Sequence, residues 1–164
     1  MKNIYIIGGT MGVGKTAVCQ ELKEMLPASV FLDGDWCWDM HPFQVNNETK
    51  NMVIQNITFL LNQFIHCSVY ENIIFCWVMH EQSIVDTIVG QLDTKDCEVK
   101  TISLVCNETA LRKRLQKDID RKVRMEDVME RSVARIPLYR KLNTIKIDTT
   151  EKSISQVCNE LINL

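Results

Sequence analysis

The chain has no apolar run longer than the seven residues from Ile73 to Met79. A membrane-crossing helix needs about 20, so no membrane span is expected. Only three prolines occur, at 27, 42 and 137, and no repeat, low-complexity tract or Pro/Gly/Ser-rich linker interrupts the 164 residues. A chain of that length without a linker reads as one domain over 1–164, large enough to bury a real core. The seven cysteines, at 19, 37, 67, 76, 97, 106 and 158, form no C-x-x-C pair and have no Cys/His spacing suited to zinc. Their count is odd and several sit in apolar runs, so they read as buried free thiols of a reducing compartment, not a disulfide framework. The opening Met1-Lys2-Asn3-Ile4-Tyr5-Ile6-Ile7 runs directly into a glycine loop without a cleavage-type segment. No signal peptide is read there, and a cytoplasmic location is expected.

What is present is the mix of an ordinary globular protein, 46% apolar and 24% charged. A net charge of −2 is too near neutral to mark a nucleic-acid binder, and no nucleic-acid partner is expected. The charge is unevenly spread. Residues 112–141 hold eleven Lys/Arg against five Asp/Glu, a local +6 that leaves −8 elsewhere. One basic segment in an acidic chain suits a local anion better than a duplex.

Strand-like and helix-like patterns alternate. Strands are expected at Asn3–Ile7, Val30–Leu32, Asn72–Met79, Val99–Cys106 and Thr144–Asp148. The third is the most apolar and is expected at the sheet centre. Helices are expected at Thr16–Leu26 (ended by Pro27), Asn51–Cys67, Glu81–Leu92, from a cap near Asn107 to about Asp118, Met125–Leu142 and Ser153–Leu164. Pro137 is an expected irregularity near the end of the fifth. The predicted fold is a three-layer α/β/α arrangement on a five-stranded parallel sheet, which takes ligands at the carboxyl ends of its strands.

Gly9-Thr10-Met11-Gly12-Val13-Gly14-Lys15-Thr16 matches G-x-x-x-x-G-K-[ST] in full, after a strand and opening a helix. Glycines let successive N–H groups converge on phosphate oxygens, and the helix start adds its positive dipole end. Lys15 is placed to reach the β- and γ-phosphates, and the Thr16 hydroxyl to ligate Mg²⁺. Phe31-Leu32-Asp33-Gly34-Asp35 then sets two carboxylates at the end of the second strand. Strand alternation predicts that both point the same way, with Gly34 leaving room between them. Two such anions repel unless a cation intervenes, although Asp-Gly-Asp also makes a good turn.

A phosphate loop followed by this Asp-x-Asp resembles the small P-loop kinases. These are the nucleoside monophosphate kinase-like group, with the shikimate, gluconate and adenylylsulfate kinases and chloramphenicol phosphotransferase. The resemblance implies that Asp33 supports Mg²⁺ and that Asp35 contacts the acceptor hydroxyl as base or orienting acceptor. Arg124, Arg131 and Arg135 fall at i, i+7 and i+11, one helical stripe that Tyr139 continues. The spacing of Arg124, Arg135 and Tyr139 is similar to adenylate-kinase-like proteins, which implies catalytic arginines around a lid at about 118–126. The alternative pairs them with Glu126, Asp127 and Glu130 on a solvated helix. Arg114, in Leu111-Arg112-Lys113-Arg114-Leu115, resembles the arginine that stacks on adenine, and Asp148-Thr149-Thr150 resembles the loop bordering the adenine edge. Both segments also read as a solvated helix charge and a plain helix cap.

Two features depart from the family. The strand Ile73–Val78 has no Asp at its end, which leaves metal support to Asp33, and Met79-His80-Glu81 stands where a glycine-arginine pair often follows. Trp36 and Trp38 flank the candidate base and either wall an acceptor or belong to the core, and His80 is expected to point into the cleft. His66 reads as an exposed or satisfied residue of its amphipathic helix. The function these features imply is transfer of the ATP γ-phosphate, with Mg²⁺, to a hydroxyl of a small-molecule acceptor. Lys15, Asp35 and at least one of Arg124, Arg131 and Arg135 would be catalytic. A nucleoside monophosphate kinase and an ATP-binding regulator without an acceptor are the alternatives, and a polynucleotide kinase is more remote. No N/T-K-x-D of a switch GTPase occurs. The sequence does not separate a monomer from a dimer.

Overall fold

The computed structural model describes residues 1–122, 124 and 127–164. In chain order the elements are β1 (Lys2–Gly8), α1 (Lys15–Met25), β2 (Ser29–Asp33), a 3-10 turn (Gly34–Trp38), α2 (Asn47–His66), β3 (Asn72–Trp77) and α3 (Gln82–Gly90). There follow β4 (Cys97–Val105), α4 (Glu108–Asp120), α5 (Val128–Lys141), β5 (Ile145–Asp148) and α6 (Ile154–Ile162). The strands form one parallel sheet in the order β2-β3-β1-β4-β5.

The period-two pattern of the strands divides the core into two layers. Ile4, Ile6, Ile73 and Phe75 face α2 and α3, packing on Val53, Ile57, Leu61 and Ile88. Tyr5, Ile7, Ile74 and Cys76 face the other way, onto Val18, Leu22, Leu115, Val157 and Leu161 of α1, α4 and α6. Because both faces are covered, β1 and β3 read as nearly continuous apolar runs. β3 is buried at all six positions, yet the central strand is β1, and β3 lies between it and the edge strand β2. Continuous apolarity reports burial on two faces, a property that β3 shares with β1, so it mislocated the centre.

Local chemistry sets the helix ends. Asn46 accepts from the Thr49 N–H while Thr49 accepts from the Asn46 N–H, a capping box that starts α2 four residues before the predicted Asn51. The Asn107 side chain caps α4 through the Ala110 N–H at 2.8 Å, as its sequence suggested. α5 runs on through Pro137. Its predicted start, Met125, lies outside the described residues, and the helix begins at Val128. β3 ends at Trp77 and not at Met79, so Val78 and Met79 join His80 and Glu81 in the connection to α3. The seven cysteines are free thiols, four buried and three half-buried. Among the described residues no helix is long and apolar enough to cross a membrane.

Candidate nucleotide and acceptor site

β1 delivers the chain at the middle of the sheet into the loop Gly9–Thr16. Gly12 and Gly14 take φ of +83° and +105°, a region L side chains avoid. A Cβ on Gly12 would also stand 2.5 Å from Leu115 Cδ2 of α4. The tight turn carries Lys15 to the start of α1, where its ammonium curls back to donate to the carbonyls of Gly9 at 2.8 Å and Thr10 at 3.1 Å. Desolvation in the loop lowers the Lys15 pKa, against the pull of Asp35 and Asp33. The Thr10 hydroxyl donates to the Ser132 carbonyl at 2.8 Å, fastening the loop to α5.

Thr16 donates its hydroxyl to Asp33 Oδ2 at 2.8 Å. Asp33 is buried at the end of β2, and its other oxygen accepts the Asp35 N–H at 3.0 Å. β2 ends there, so Asp35 sits on the 3-10 turn. The expected strand alternation between the two carboxylates is replaced by this side-chain cap. Asp35 Oδ1 accepts the indole N–H of Trp77 at 3.1 Å. Trp77 was not foreseen as a site residue; its only signal was its place at the carboxyl end of a buried parallel strand.

On the other side of the loop lies a cavity of about 510 Å³, lined by Gly12–Val18, Arg114, Asp118, Arg124, Thr149 and Lys152 among others. The Arg114 guanidinium is held by the Thr149 hydroxyl at 2.9 Å, the Thr149 carbonyl at 2.6 Å and the Val13 carbonyl at 3.3 Å. These contacts join α4, the end of β5 and the phosphate loop.

The arginine stripe loses its first member. Arg124 precedes α5, lines the cavity and is paired with Asp118 at 3.0 Å. Arg131 is exposed on α5, and Arg135 is half-buried near His80, whose pKa it helps depress. Tyr139 follows Arg135 by one turn on the same helix. It packs with Val105 and Leu142, its ring 3.4 Å from where a Gly8 Cβ would stand, and burial pushes its phenol pKa up. Of the expected lid at 118–126, residues 123, 125 and 126 lie outside the described residues.

The two indoles that follow Asp35 part company. Trp36 leans edge-on against Phe31 at 5.2 Å, on the α1 side of the sheet edge. Trp38 packs edge-on against Trp77 at 5.6 Å and Phe43 at 5.2 Å, on the α2 side. His80 is partly buried, 3.5 Å from Glu81, with its pKa lowered by burial and then by Arg135 and Lys50, against the pull of Glu81. His66 is exposed and pairs with Asp93 at 3.0 Å, outside this region.

A family profile described as an AAA domain matches residues 6–137. A shikimate kinase of Bacillus cytotoxicus is 29% identical over 171 aligned positions, covering 99% of this chain and 97% of its own. The Deinococcus radiodurans tunicamycin resistance protein superposes with a TM-score of 0.76 at 19% identity, over 99% of this chain and 95% of its own. A gluconokinase from Sinorhizobium meliloti gives 0.69 at 15% identity, over 98% and 90%. At such identities the two superpositions speak for the fold alone, the α/β/α arrangement of P-loop kinases. The matched profile covers most of the chain, which belongs to this AAA-domain family of P-loop nucleotide-binding proteins.

Proposed function

We propose that this member of the AAA-domain family is a small-molecule kinase that moves the γ-phosphate of ATP to an acceptor hydroxyl with the help of Mg²⁺. One observation carries the reading: the acidic turn fixes two carboxylates beside the phosphate loop, Asp33 on the Thr16 hydroxyl and Asp35 just beyond it. A nucleoside diphosphate moiety alone would need only the first.

Each part has a physical role. The N–H groups of Gly9–Thr16 and the start of α1 cradle phosphates, while Arg114 and Thr149 border the base. The Lys15 ammonium, now spent on two carbonyls, is close enough to exchange them for phosphate oxygens. Thr16 and Asp33 fit Mg²⁺ because they offer two adjacent hard oxygens, few enough to leave places for water and phosphate. When bound, the ion neutralises charge on the β- and γ-phosphates. Asp35 takes the proton of the acceptor hydroxyl. Arg124, Arg131 and Arg135 supply cations around the transferred group. Trp38, packed on Trp77, and His80, which follows β3, would meet the acceptor, while Trp36 stands further out, behind the sheet edge. The kinase names among the similar proteins support phosphoryl transfer, and shikimate is one hydroxyl acceptor to include in the test.

ADP release from Mg·ATP against sugar acids, shikimate, nucleosides, nucleoside monophosphates and hydroxylated antibiotics tests the reading. One acceptor should raise turnover well above background and lose its effect in Lys15→Ala and Asp35→Asn. ATP binding with no acceptor effect would favour a nucleotide-dependent regulator instead. A response to nucleoside monophosphates alone would favour a nucleoside monophosphate kinase.

A further inference from the structure

Asp35 is exposed on a short turn, where a carboxylate is free to rotate among several orientations. A base needs one orientation, and among the described residues Asp35 is held by one side chain, Trp77, whose indole N–H donates to Oδ1 at 3.1 Å. The donor is itself immobile. Trp77 is 9% exposed at the end of an interior strand and paired in register with Gly8 of β1. Its ring fills the space a side chain on Gly34 would need, since a Cβ there would stand 2.5 Å from Cγ and 2.6 Å from Cδ1. Trp38 braces it edge-on, and Phe43 braces Trp38. The glycine of Asp-Gly-Asp therefore does more than make a turn: it lets an indole reach the second carboxylate.

The chemistry of the donor suits the task. An indole N–H donates one hydrogen bond, accepts none and carries no charge. It orients a carboxylate without neutralising it, as a Lys or Arg partner would. We propose that Trp77 is a positioning residue for phosphoryl transfer, holding Asp35 by Oδ1 so that Oδ2 faces the acceptor hydroxyl. The inference rests on the kinase reading above. In that step the acceptor O–H bond breaks and its proton passes to Oδ2. The acceptor oxygen forms a bond to the γ-phosphorus, and the bond from that phosphorus to the bridging β–γ oxygen breaks to release ADP.

Trp77→Phe keeps a ring against Gly34 and Trp38 but removes the N–H. Acceptor-dependent kcat should fall about ten- to a hundredfold, the cost of a slightly misplaced reacting group, with the KM for ATP within about twofold of wild type. In an Asp35→Asn background the same change should have no further effect. Independently of turnover, the indole ¹⁵N–¹H resonance that Trp77→Phe removes should move when Asp35→Asn is introduced into the wild-type chain. A Trp77→Phe enzyme with wild-type kcat, or an indole resonance indifferent to Asp35, overturns the proposal. A loss of kcat in Trp77→Phe that adds in full to that of Asp35→Asn does so too, because it makes the effect general. A wild-type chain that phosphorylates no acceptor overturns the kinase reading and the catalytic role with it. The resonance still reports whether Trp77 holds Asp35, so the two failures are told apart.

Discussion

Thr16, the second residue of α1, and Asp33, the last residue of β2, share a hydrogen bond of 2.8 Å. The end of the phosphate loop and the start of the acidic turn are thereby one unit. Thr16→Val keeps the shape and removes the hydroxyl, leaving the buried Asp33 short of a donor. Charge-assisted bonds contribute about 1.5–3 kcal/mol, so Mg·ATP turnover should fall about tenfold or more and the apparent Mg²⁺ requirement should rise. Turnover across a Mg²⁺ titration checks this; an unchanged requirement would detach Thr16 from the metal.

Asp35→Asn keeps size and turn geometry but removes the base. Acceptor-dependent turnover should drop by about 10²- to 10⁴-fold, while calorimetric ATP affinity stays within a few-fold. Turnover within a few-fold of wild type would take the base role away from Asp35.

Gly34→Ala puts a methyl group into the ring of Trp77, only 2.5 Å from Cγ. Overpacking of this kind costs about 1–3 kcal/mol. Urea unfolding should show that loss, and acceptor turnover should fall with it because both Trp77 and the turn must shift. A fully stable Gly34→Ala chain would mean that the indole can move aside cheaply.

Arg124 is spent on Asp118 at the rim of the nucleotide cavity. Asp118→Asn should release the guanidinium and remove a negative charge from the rim. ATP binding should then tighten by a few-fold, with a steeper dependence on salt. Calorimetry at two ionic strengths measures both, and weaker binding would show that Asp118 itself helps to hold the nucleotide.

His80 is held below the ordinary imidazole pKa by burial first and then by Arg135, with Lys50 adding to the effect and Glu81 opposing it. Between that lowered value and about 6.5, the unfolded chain binds more protons than the folded one. Stability therefore rises with pH through this window and is lost on acidification. Denaturant unfolding from pH 5 to 7.5 should show the slope, and His80→Gln should flatten it.

The phosphate loop was legible because its geometry is local: eight consecutive residues determine where their own N–H groups point. The layered fold was legible too, through alternation of apolar periods. What escaped depends on contacts through space. Trp77 and Asp35 are 42 residues apart, and nothing in Ile73–Val78 marks the indole as a donor to that carboxylate. The arginine stripe assumed one helix from Arg124 onward, but the described helix begins at Val128, so helical spacing did not apply to the first member. The early start of α2 was missed because its first turn, Asn47–Lys50, is wholly polar and is set by a side-chain cap instead of an apolar face. Trp36 and Trp38 looked alike in sequence, yet two steps along a 3-10 turn carry them to opposite faces of the sheet edge.

The strand order β2-β3-β1-β4-β5 has a consequence for how such a protein can change. Asp33, Asp35, Trp38 and Trp77 all belong to the half of the sheet on the β2-β3 side of β1. Arg114 and Thr149 belong to the half on the β4-β5 side. Under the proposed reading, the part that chooses what is phosphorylated and the part that grips the donor are inherited as separate blocks, hinged on one central strand. Drift in the first block would diversify the chemistry served by this scaffold while the second stays constant, and a chimera that exchanges residues 29–81 between relatives would carry its acceptor preference with it.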